Sequence, residues 1–240
     1  MSIEISNGFT VTPNVRIVQS GLVFNLQTAP SSGTTWTDSS GNGYNAIISG
    51  SATYVSNNGG GIKLNNTSNN GGGVDFISVP YNIASSTVTV EIVASFNPTS
   101  FWGAIWGNES YSAGRGYFAY MGSATGISYG RNGAITNETI TASNSIRHWT
   151  FVINGTQHSL YLNGVQVGVT STKIIQTLFT TNDFYFGSRH INVGTGHQDK
   201  LNSNIPANLP VFYQMRVYNK ALSVDELQQN YNAIKGTYGI

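Results

Sequence analysis

Short apolar runs separated by Gly, Asn and Ser recur along the chain, a pattern typical of an all-β protein. The clearest stretch is HWTFVINGTQHSLYLNGVQVGVT, residues 148–170, in which alternating residues flank Asn154-Gly155 and Asn163-Gly164. Asn-Gly supplies the two positive-φ residues that a type I′ hairpin turn requires. The stretch therefore predicts a three-stranded antiparallel meander.

Further strands are predicted by the same alternation. A hairpin is expected around Arg131-Asn132-Gly133. The Gly-rich segments 57–61 and 69–73 are predicted to be loops within one domain, because predicted strands flank them closely. The other strand candidates are residues 21–26, 75–79, 87–96, 183–187 and 211–218.

One helix is specified at the C-terminus by ALSVDELQQNYNAIKG. Ser223 is the predicted N-cap and Glu226 stands at N3, which makes a capping box, while Leu222 and Leu227 form the hydrophobic staple around it. Gly236 stands where a C′ glycine is expected to end the helix. The residues that recur at helical spacing, and so are expected to face the sandwich, are Val224, Leu227, Tyr231 and Ile234.

Composition excludes several classes of function. Charged residues make up 9% of the chain and its net charge is +1, without a Lys/Arg cluster, so nucleic acid is not expected as a partner. Cysteine is absent, which removes thiolate chemistry. No apolar stretch approaches the ~20 residues of a membrane helix. The start, MSIEISNGFT, lacks the features of a secretory signal, so synthesis and folding are expected in a cytoplasm.

Several segments, in this order, resemble one family. GLVFNLQ, TWTDSSGNGYNA, TVTVEIVASF, RHWTFVINGTQHSLYLNGVQVG, FYFGS and MRVYNKALSVDELQQNYNA resemble the laminin-G-like jelly roll of the concanavalin A-like lectin/glucanase superfamily. The resemblance implies an all-β, two-sheet antiparallel jelly-roll β-sandwich with one short C-terminal α-helix. Residues 1–20 are expected to form an N-terminal arm or an edge strand, and residues 21–240 the laminin-G-like domain.

The closing strand, helix and Gly-Thr-Tyr-Gly-Ile tail resemble structural proteins of tailed bacteriophages. This resemblance implies a place in the virion, after synthesis in the host cytoplasm, with capsid or tail proteins as partners. Two functions stay open here. One is a non-enzymatic virion surface protein, a capsid decoration or fibre-associated module with weak binding of cell-surface polysaccharide. The other is a lectin-like host-receptor adhesin or cell-surface lectin. The oligomeric state is open, a homo-oligomer included.

Because the superfamily includes glucanases, carboxylate pairs are relevant. Retaining glycoside hydrolysis needs two carboxylates about 5–5.5 Å apart, and family glucanases present them at alternate positions of one strand. Glu91 is the one acid in TVTVEIVASF, while Asp225 and Glu226 belong to the predicted helix N-terminus. No catalytic residue is therefore predicted, and the chain is expected not to be an enzyme.

Calcium is the cofactor that the family resemblance suggests. Asp38, in the Asp-Ser-Ser-Gly-Asn-Gly loop, stands where many members have a ligand, but an Asx-type turn also explains it. Where resembling families often have Asp just before the "riY" motif of the closing strand, this chain has Phe212-Tyr213-Gln214. No cofactor or metal ligand is therefore predicted, with structural calcium as the alternative that is not favoured.

A sugar site needs an aromatic platform and polar groups, and residues 101–120, FWGAIWGNESYSAGRGYFAY, are dense in both. The candidate carbohydrate-binding residues are Trp102, Trp106, Asn108, Tyr111, Arg115 and Tyr117. For the two tryptophans, packing in the core is the open alternative. A second polar segment carries Arg189, His190, His197 and Asp199. Two interpretations are open for it, a metal site or the ordinary polar residues of a loop.

Overall fold

The described part of the chain includes two large sheets, two two-stranded sheets and one helix. In this computed structural model, residues 15–67, 75–83, 85–96, 103–108, 116–123, 126–131, 134–140, 143–172, 183–190, 197–198, 201 and 208–240 are described, together with the backbone of two N-terminal strands. These two strands, Ile3–Ile5 and Phe9–Val11, pair antiparallel with each other. The division of the chain at residue 20 stays a prediction.

The described residues form 20 strands, a 3-10 turn at Asn57–Gly59 and one α-helix, α1, at Val224–Tyr238. The strands are β1 (Ile3–Ile5), β2 (Phe9–Val11), β3 (Leu22–Leu26), β4 (Thr35–Trp36), β5 (Ala46–Ser49), β6 (Thr53–Val55), β7 (Gly61–Lys63), β8 (Phe76–Val79), β9 (Thr87–Phe96), β10 (Gly103–Gly107), β11 (Tyr117–Ser123), β12 (Gly126–Arg131), β13 (Ala134–Thr139), β14 (Ser143–Asn154), β15 (Gln157–Leu162), β16 (Val165–Thr172), β17 (Phe184–Phe186), β18 (Arg189–His190), β19 (His197–Gln198) and β20 (Val211–Tyr218). The five separately predicted strands are confirmed as β3, β8, β9, β17 and β20, and the predicted hairpin near residue 132 as the β12–β13 pair.

Two large antiparallel sheets form the sandwich. The first has the order β13-β12-β11-β10-β17-β8-β5-β4. The second has the order β16-β15-β14-β9-β20-β7-β6, and β3 lies beside β20. Residues from both sheets meet in one large buried cluster, which is the core. The predicted fold class, an all-β antiparallel jelly-roll sandwich with one C-terminal helix, is therefore confirmed.

The centre of the second sheet is buried on both faces. Along β9, Val88, Val90 and Ile92 face the core between the sheets. Thr89 and Glu91 alternate with them and face the other side, yet they are buried as well. A strand that is covered on both faces needs a further layer, and α1 supplies it.

The two Asn-Gly turns of the predicted meander differ in the structure. β14, β15 and β16 pair antiparallel as predicted. Asn163 and Gly164 both have positive φ, 51° and 76°, as a type I′ turn requires. At the first turn, Asn154 still pairs with Gln157, so the central residues are Gly155 and Thr156, and only Gly155 has positive φ. The type I′ prediction is therefore correct for the second turn and wrong for the first.

The predicted capping box of α1 is confirmed, while the predicted end of the helix is wrong. Ser223 accepts a hydrogen bond from the Glu226 backbone, and the Glu226 side chain accepts one from the Ser223 backbone. The helix continues through Gly236 to Tyr238, which is buried against the sheet, and ends at Gly239 with φ of 67°. Within the described residues, no helix is long and apolar enough to cross a bilayer.

A row of polar side chains crosses four strands beneath α1. Register places Thr150 of β14 opposite Glu91, Glu91 opposite Arg216 of β20, and Arg216 opposite Asn25 of β3. All four side chains are buried. The Arg216 Nε lies 3.1 Å from the Glu91 carboxylate, and His148 Nε2 lies 3.5 Å from it. Burial, and then the nearby Arg216, hold the pKa of His148 well below its ordinary value, so this imidazole is neutral at pH 7.

Asn230 connects the helix to this polar row. Its Nδ2 donates to the Glu91 carboxylate and to the Tyr218 hydroxyl, both at 3.0 Å. Its Oδ1 accepts from the Val18 backbone N–H at 2.7 Å, and the Tyr218 hydroxyl donates to the Val18 carbonyl at 3.2 Å. One buried amide therefore joins the helix, two strands and the chain segment that precedes β3.

We expect Glu91→Gln to destabilise the fold by about 3–5 kcal/mol, because it leaves the Arg216 guanidinium buried without a counter-charge. The double variant Glu91→Leu/Arg216→Met removes both charges and should be more stable than the single variant. Urea unfolding curves of the wild type and both variants measure this difference. A double variant that is less stable than Glu91→Gln contradicts the assignment.

Candidate functional site

The aromatic segment at residues 101–120 contributes to the core in the part that is described. The β10–β11 pairing shifts register between Ala104 and Trp106, so Ile105 and Trp106 both face inward. Trp106 is 0% exposed and stacks on Phe184, with ring centroids 5.4 Å apart. Core packing, the alternative in the sequence analysis, therefore holds for Trp106, and its prediction as a sugar platform is wrong.

Asn108 and Tyr117 are also structural. Asn108 is 0% exposed, and its Oδ1 accepts from the Tyr117 backbone N–H at 2.9 Å. Tyr117 is 1% exposed, and its hydroxyl donates to the Ser85 carbonyl at 3.2 Å. Since neither side chain reaches solvent, their prediction as sugar contacts is wrong. The other three candidates lie outside the described residues and stay predictions: Trp102, Tyr111 and Arg115.

Two aromatic residues of the same segment face the outer side of the first sheet. Phe118 and Tyr120 stack with ring centroids 5.1 Å apart and pack with Ala104 and the half-buried Ile135. They alternate with inward-facing residues of β11, as the period of a strand requires. Both are buried, so they do not form an open platform.

An open cleft of about 360 Å³ lies at one end of β3. Its aromatic wall consists of the half-buried Tyr44 and Tyr81, whose ring centroids are 5.2 Å apart at an interplanar angle of 67°. The core residue Phe24 meets the Tyr81 ring edge-on at 6.2 Å and so supports it. We call this site the tyrosine cleft. Its other lining residues are Leu22, Val23, Asn42 and Asn219.

The rim of the tyrosine cleft is polar and uncharged. Asn42 donates from Nδ2 to the Leu22 and Val23 carbonyls at 3.0 and 2.8 Å, so its Oδ1 is the atom left to accept. Burial, and then the neighbouring Tyr44, raise the pKa of Tyr81, so its hydroxyl is protonated at neutral pH. Ring faces beside amide and hydroxyl groups suit a sugar, which has an apolar face and hydroxyls that both donate and accept.

Sequence reasoning missed the tyrosine cleft because its residues come from separate segments. Asn42 and Tyr44 belong to the loop that was singled out for Asp38, Tyr81 follows β8, and Asn219 follows β20. Only the sheet order brings these ends together. The available signal was a tyrosine in the Gly/Asn-rich loop after Asp38, at a position where the strand pattern had ended.

Asp38 organises that loop through its carboxylate. Oδ1 accepts from the backbone N–H groups of Asn25 and Ser40, both at 2.9 Å. Oδ2 accepts from the Ser40 hydroxyl at 2.8 Å and from the Tyr44 backbone at 3.0 Å. Four donors use the roughly four lone-pair positions of a carboxylate. The residues therefore fit the Asx-type turn and do not fit a calcium ligand, while the predicted absence of any cofactor stays a prediction.

The family of the chain follows from a match over most of its length. A laminin-G family model described as the concanavalin A-like lectin/glucanases superfamily matches residues 68–228. The chain belongs to this superfamily. The match includes β8 to β20 and the first turn of α1, while the Asp38 loop lies before it. Among curated proteins, none matches the chain in sequence at a significant level.

Solved structures share this superfamily fold at low identity. The binding domain of Paraclostridial mosquitocidal protein 1 is 18% identical with a TM-score of 0.66, and the match covers 90% of this chain and 52% of that one. The receptor-binding domain of botulinum neurotoxin C/D mosaic serotype is 13% identical with a TM-score of 0.67, over 90% and 52%. Trypanosoma rangeli sialidase in complex with sialic acid is 17% identical with a TM-score of 0.62, over 90% and 33%. This chain thus spans about half of the toxin domains and a third of the sialidase.

The one acid of β9 is buried in this superfamily member, and the expectation that the chain is not an enzyme stays a prediction. Glu91 lies beneath α1, where burial raises its pKa although Arg216 and Asn230 act in the opposite direction. Among the described residues, no three Asp, Glu or His side chains form a group that could hold a metal ion. The backbone of β18 and β19 pairs His190 with His197, while Asp199 lies outside the described residues.

We expect Asp38→Asn to lower the free energy of unfolding by about 1–3 kcal/mol at pH 7, because an amide cannot accept from all four donors. Partial burial acts to raise the pKa of Asp38, but hydrogen bonds from Asn25, Ser40 and Tyr44 together hold it below its ordinary value of 3.8. The native state thus binds this proton more weakly than the unfolded state. The stabilisation is complete above pH 3.8 and is lost as the pH falls through the lowered value.

Urea unfolding of wild type and Asp38→Asn between pH 7 and pH 2 tests this, and the two free energies should converge at the acidic end. Asp183→Asn is the matched control, since Asp183 is exposed and its change should stay within about 0.5 kcal/mol. Equal stability of wild type and Asp38→Asn at pH 7 refutes the loop-organising role.

Proposed function

We propose that this chain is a non-enzymatic recognition module of a bacteriophage virion surface, a capsid decoration or fibre-associated protein that binds glycan weakly. The observation that carries the binding proposal is the tyrosine cleft. It offers two half-buried tyrosine rings, a protonated hydroxyl and side-chain amides in an open, uncharged concavity. A neutral sugar is the ligand class that such a surface fits, because every polar group there can pair with a hydroxyl.

The fold neighbours support a glycan ligand by analogy. The Trypanosoma rangeli sialidase structure contains sialic acid. Cell entry of botulinum neurotoxin type C depends on interaction with two ganglioside molecules. These are properties of those two proteins, and the sequence identity of each to this chain is low, 17% and 14%. They support the proposal only in that both proteins contain a sandwich of this fold.

A binding role without catalysis is supported by the placement of the acids. Three of the ten acidic residues, Asp38, Asp75 and Glu91, are buried and engaged in hydrogen bonds or an ion pair. None of them lines the tyrosine cleft. Glycoside hydrolysis requires a carboxylate on each side of the scissile bond, so the cleft is suited to holding a sugar and not to cleaving it.

The virion location rests on the resemblance of the last strand, the helix and the tail to phage structural proteins. A free lectin or host-receptor adhesin is the alternative, and it uses the same cleft. Both roles are compatible on one particle, because many weak contacts of millimolar Kd, about −4.1 kcal/mol each, sum to strong adsorption.

For glycan binding, we expect the wild-type protein to bind a subset of a glycan microarray. Tyr44→Ala should reduce that binding about tenfold, since loss of a stacking face costs on the order of 1.4 kcal/mol. Tyr81→Phe retains the ring and removes only the hydroxyl, so a smaller loss should follow. The matched control is Tyr54→Ala, an exposed tyrosine of β6 that should leave binding unchanged.

Tyr111→Ala separates the two candidate surfaces in the same experiment. If this variant removes binding while Tyr44→Ala does not, the sugar site lies in residues 101–120 and the tyrosine cleft is the wrong assignment. If no glycan is retained by the wild type at multivalent density, glycan binding itself is refuted and the surface role stands alone.

For the virion, cryo-electron microscopy of the particle that carries this chain should show it at the surface, and soluble sugars should not remove it. Copies placed regularly over the capsid lattice support decoration, and a few copies at the tail support a fibre-associated adhesin. Absence of the chain from purified particles contradicts the virion role and leaves the lectin.

A further inference from the structure

A second cleft, separate in its lining from the tyrosine cleft except for Leu22, lies between α1 and β3. It has a volume of about 360 Å³, within the range of small-molecule sites, and we call it the helix cleft. Ile17, Leu22 and Ile234 give it apolar walls. The segment that precedes β3 is held against α1 at this cleft, because Gln229 of α1 donates to the Arg16 carbonyl at 2.7 Å.

Side-chain amides form the polar surface of the helix cleft. Asn25 and Gln214 line it and are only 4% and 2% exposed. The Asn25 Nδ2 donates to the Ser39 hydroxyl at 2.9 Å and to Gln27 Oε1 at 3.2 Å. The Gln214 Nε2 donates to Asn25 Oδ1 at 3.3 Å. Such amides match hydroxyl groups, because each can donate and accept.

The hydrogen bonds determine which atoms remain for a ligand. The Ser39 hydroxyl donates to the Asn25 carbonyl at 2.8 Å, so its oxygen must accept from Asn25 Nδ2. Asn25 Oδ1 therefore faces Gln214, and because it is an acceptor, the Gln214 atom that pairs with it is the donor Nε2. Within the described residues, Gln214 Oε1 is consequently a buried acceptor without a donor. The exposed Gln27 uses its Oε1, which leaves its Nε2 as a donor at the same cleft.

Arg16 gives the helix cleft its charge. Among the described residues that line the cleft, it alone is charged, and it is exposed at the surface. A cation would be repelled there, and a ligand with a buried charge would lack a partner on the amide surface. An anionic group at the mouth, by contrast, can pair with the guanidinium, while the uncharged remainder of the ligand lies on the amides.

We propose that the helix cleft binds a single acidic sugar ring. Its hydroxyls pair with Gln27 Nε2 and with the amide surface to which Gln214 contributes, its apolar ring face lies on Leu22 and Ile234, and its carboxylate pairs with Arg16. This site goes beyond the tyrosine cleft, because the two have different side chains and different charge.

The test is a titration of the ¹⁵N-labelled full chain with methyl β-D-glucuronide and methyl β-D-glucoside, and with the corresponding galacto pair, at low ionic strength. Backbone amide shifts should move at Asn25, Gln27 and Gln214 with a millimolar Kd. The uronide of at least one pair should bind roughly threefold more tightly than its neutral partner, since an exposed ion pair adds little.

Three variants locate the site. Arg16→Gln should remove the preference for the uronide and leave neutral-sugar affinity unchanged. Gln214→Met, a change of similar volume, should weaken both sugars. Ala233→Leu fills the cleft from a half-buried position on α1 and should abolish binding without touching the amide network, which covers the case in which Gln214→Met does not fold.

Three results overturn the proposal. The first is equal shifts with sodium acetate, which mean that Arg16 binds a carboxylate and no ring is recognised. The second is uronide affinity that Arg16→Gln and Ala233→Leu leave unchanged. The third is shifts confined to Tyr44 and Tyr81, which support glycan binding at the tyrosine cleft and reject the helix cleft. Failure of glycan binding at the tyrosine cleft alone leaves the proposal for the helix cleft intact. The two proposals can therefore fail separately.

Discussion

The structure depends on one buried amide, Asn230, and on the ion pair that it covers. Glu91 and Arg216 lie opposite each other on the outer face of the second sheet, and water cannot reach them once α1 is docked. Taking two charges out of water is expensive, and their attraction offsets that cost only with good geometry and further hydrogen bonds. Asn230 supplies such a bond to Glu91, so correct docking of the helix and burial of the ion pair require each other.

The same network positions the two clefts. Asn25 stands at the end of the polar row, beside Arg216. Its backbone N–H holds Asp38, whose carboxylate also holds the Tyr44 backbone, so one strand position links the helix side of the sheet to the tyrosine cleft. On the other side its amide orients Gln214 in the helix cleft. Both clefts are thus built on one framework of hydrogen bonds that runs through Asn25.

Local sequence patterns predicted the strands and the helix start, because they report short-range physics. The Asn163-Gly164 turn and the Ser223 capping box need only neighbouring residues, and both are present. The polar row was missed, since Glu91 and Thr150 alternate with apolar residues as solvent-facing residues do, and only the docked helix buries them. Trp106 faces the core through a β-bulge, which is a register effect of two paired strands. Neither fact is encoded within a single segment.

The scarcity of charge determines how this surface can recognise a ligand. The chain has 11 Lys and Arg and 10 Asp and Glu residues in 240, and Glu91 and Arg216 neutralise each other inside. Long-range steering by charge is therefore weak, and affinity has to come from ring faces and amides in contact with the ligand. Such contacts are short-ranged and little affected by salt, since screening acts on charges. A surface of this kind gains strength through copy number, because neutral sites can be repeated without mutual repulsion.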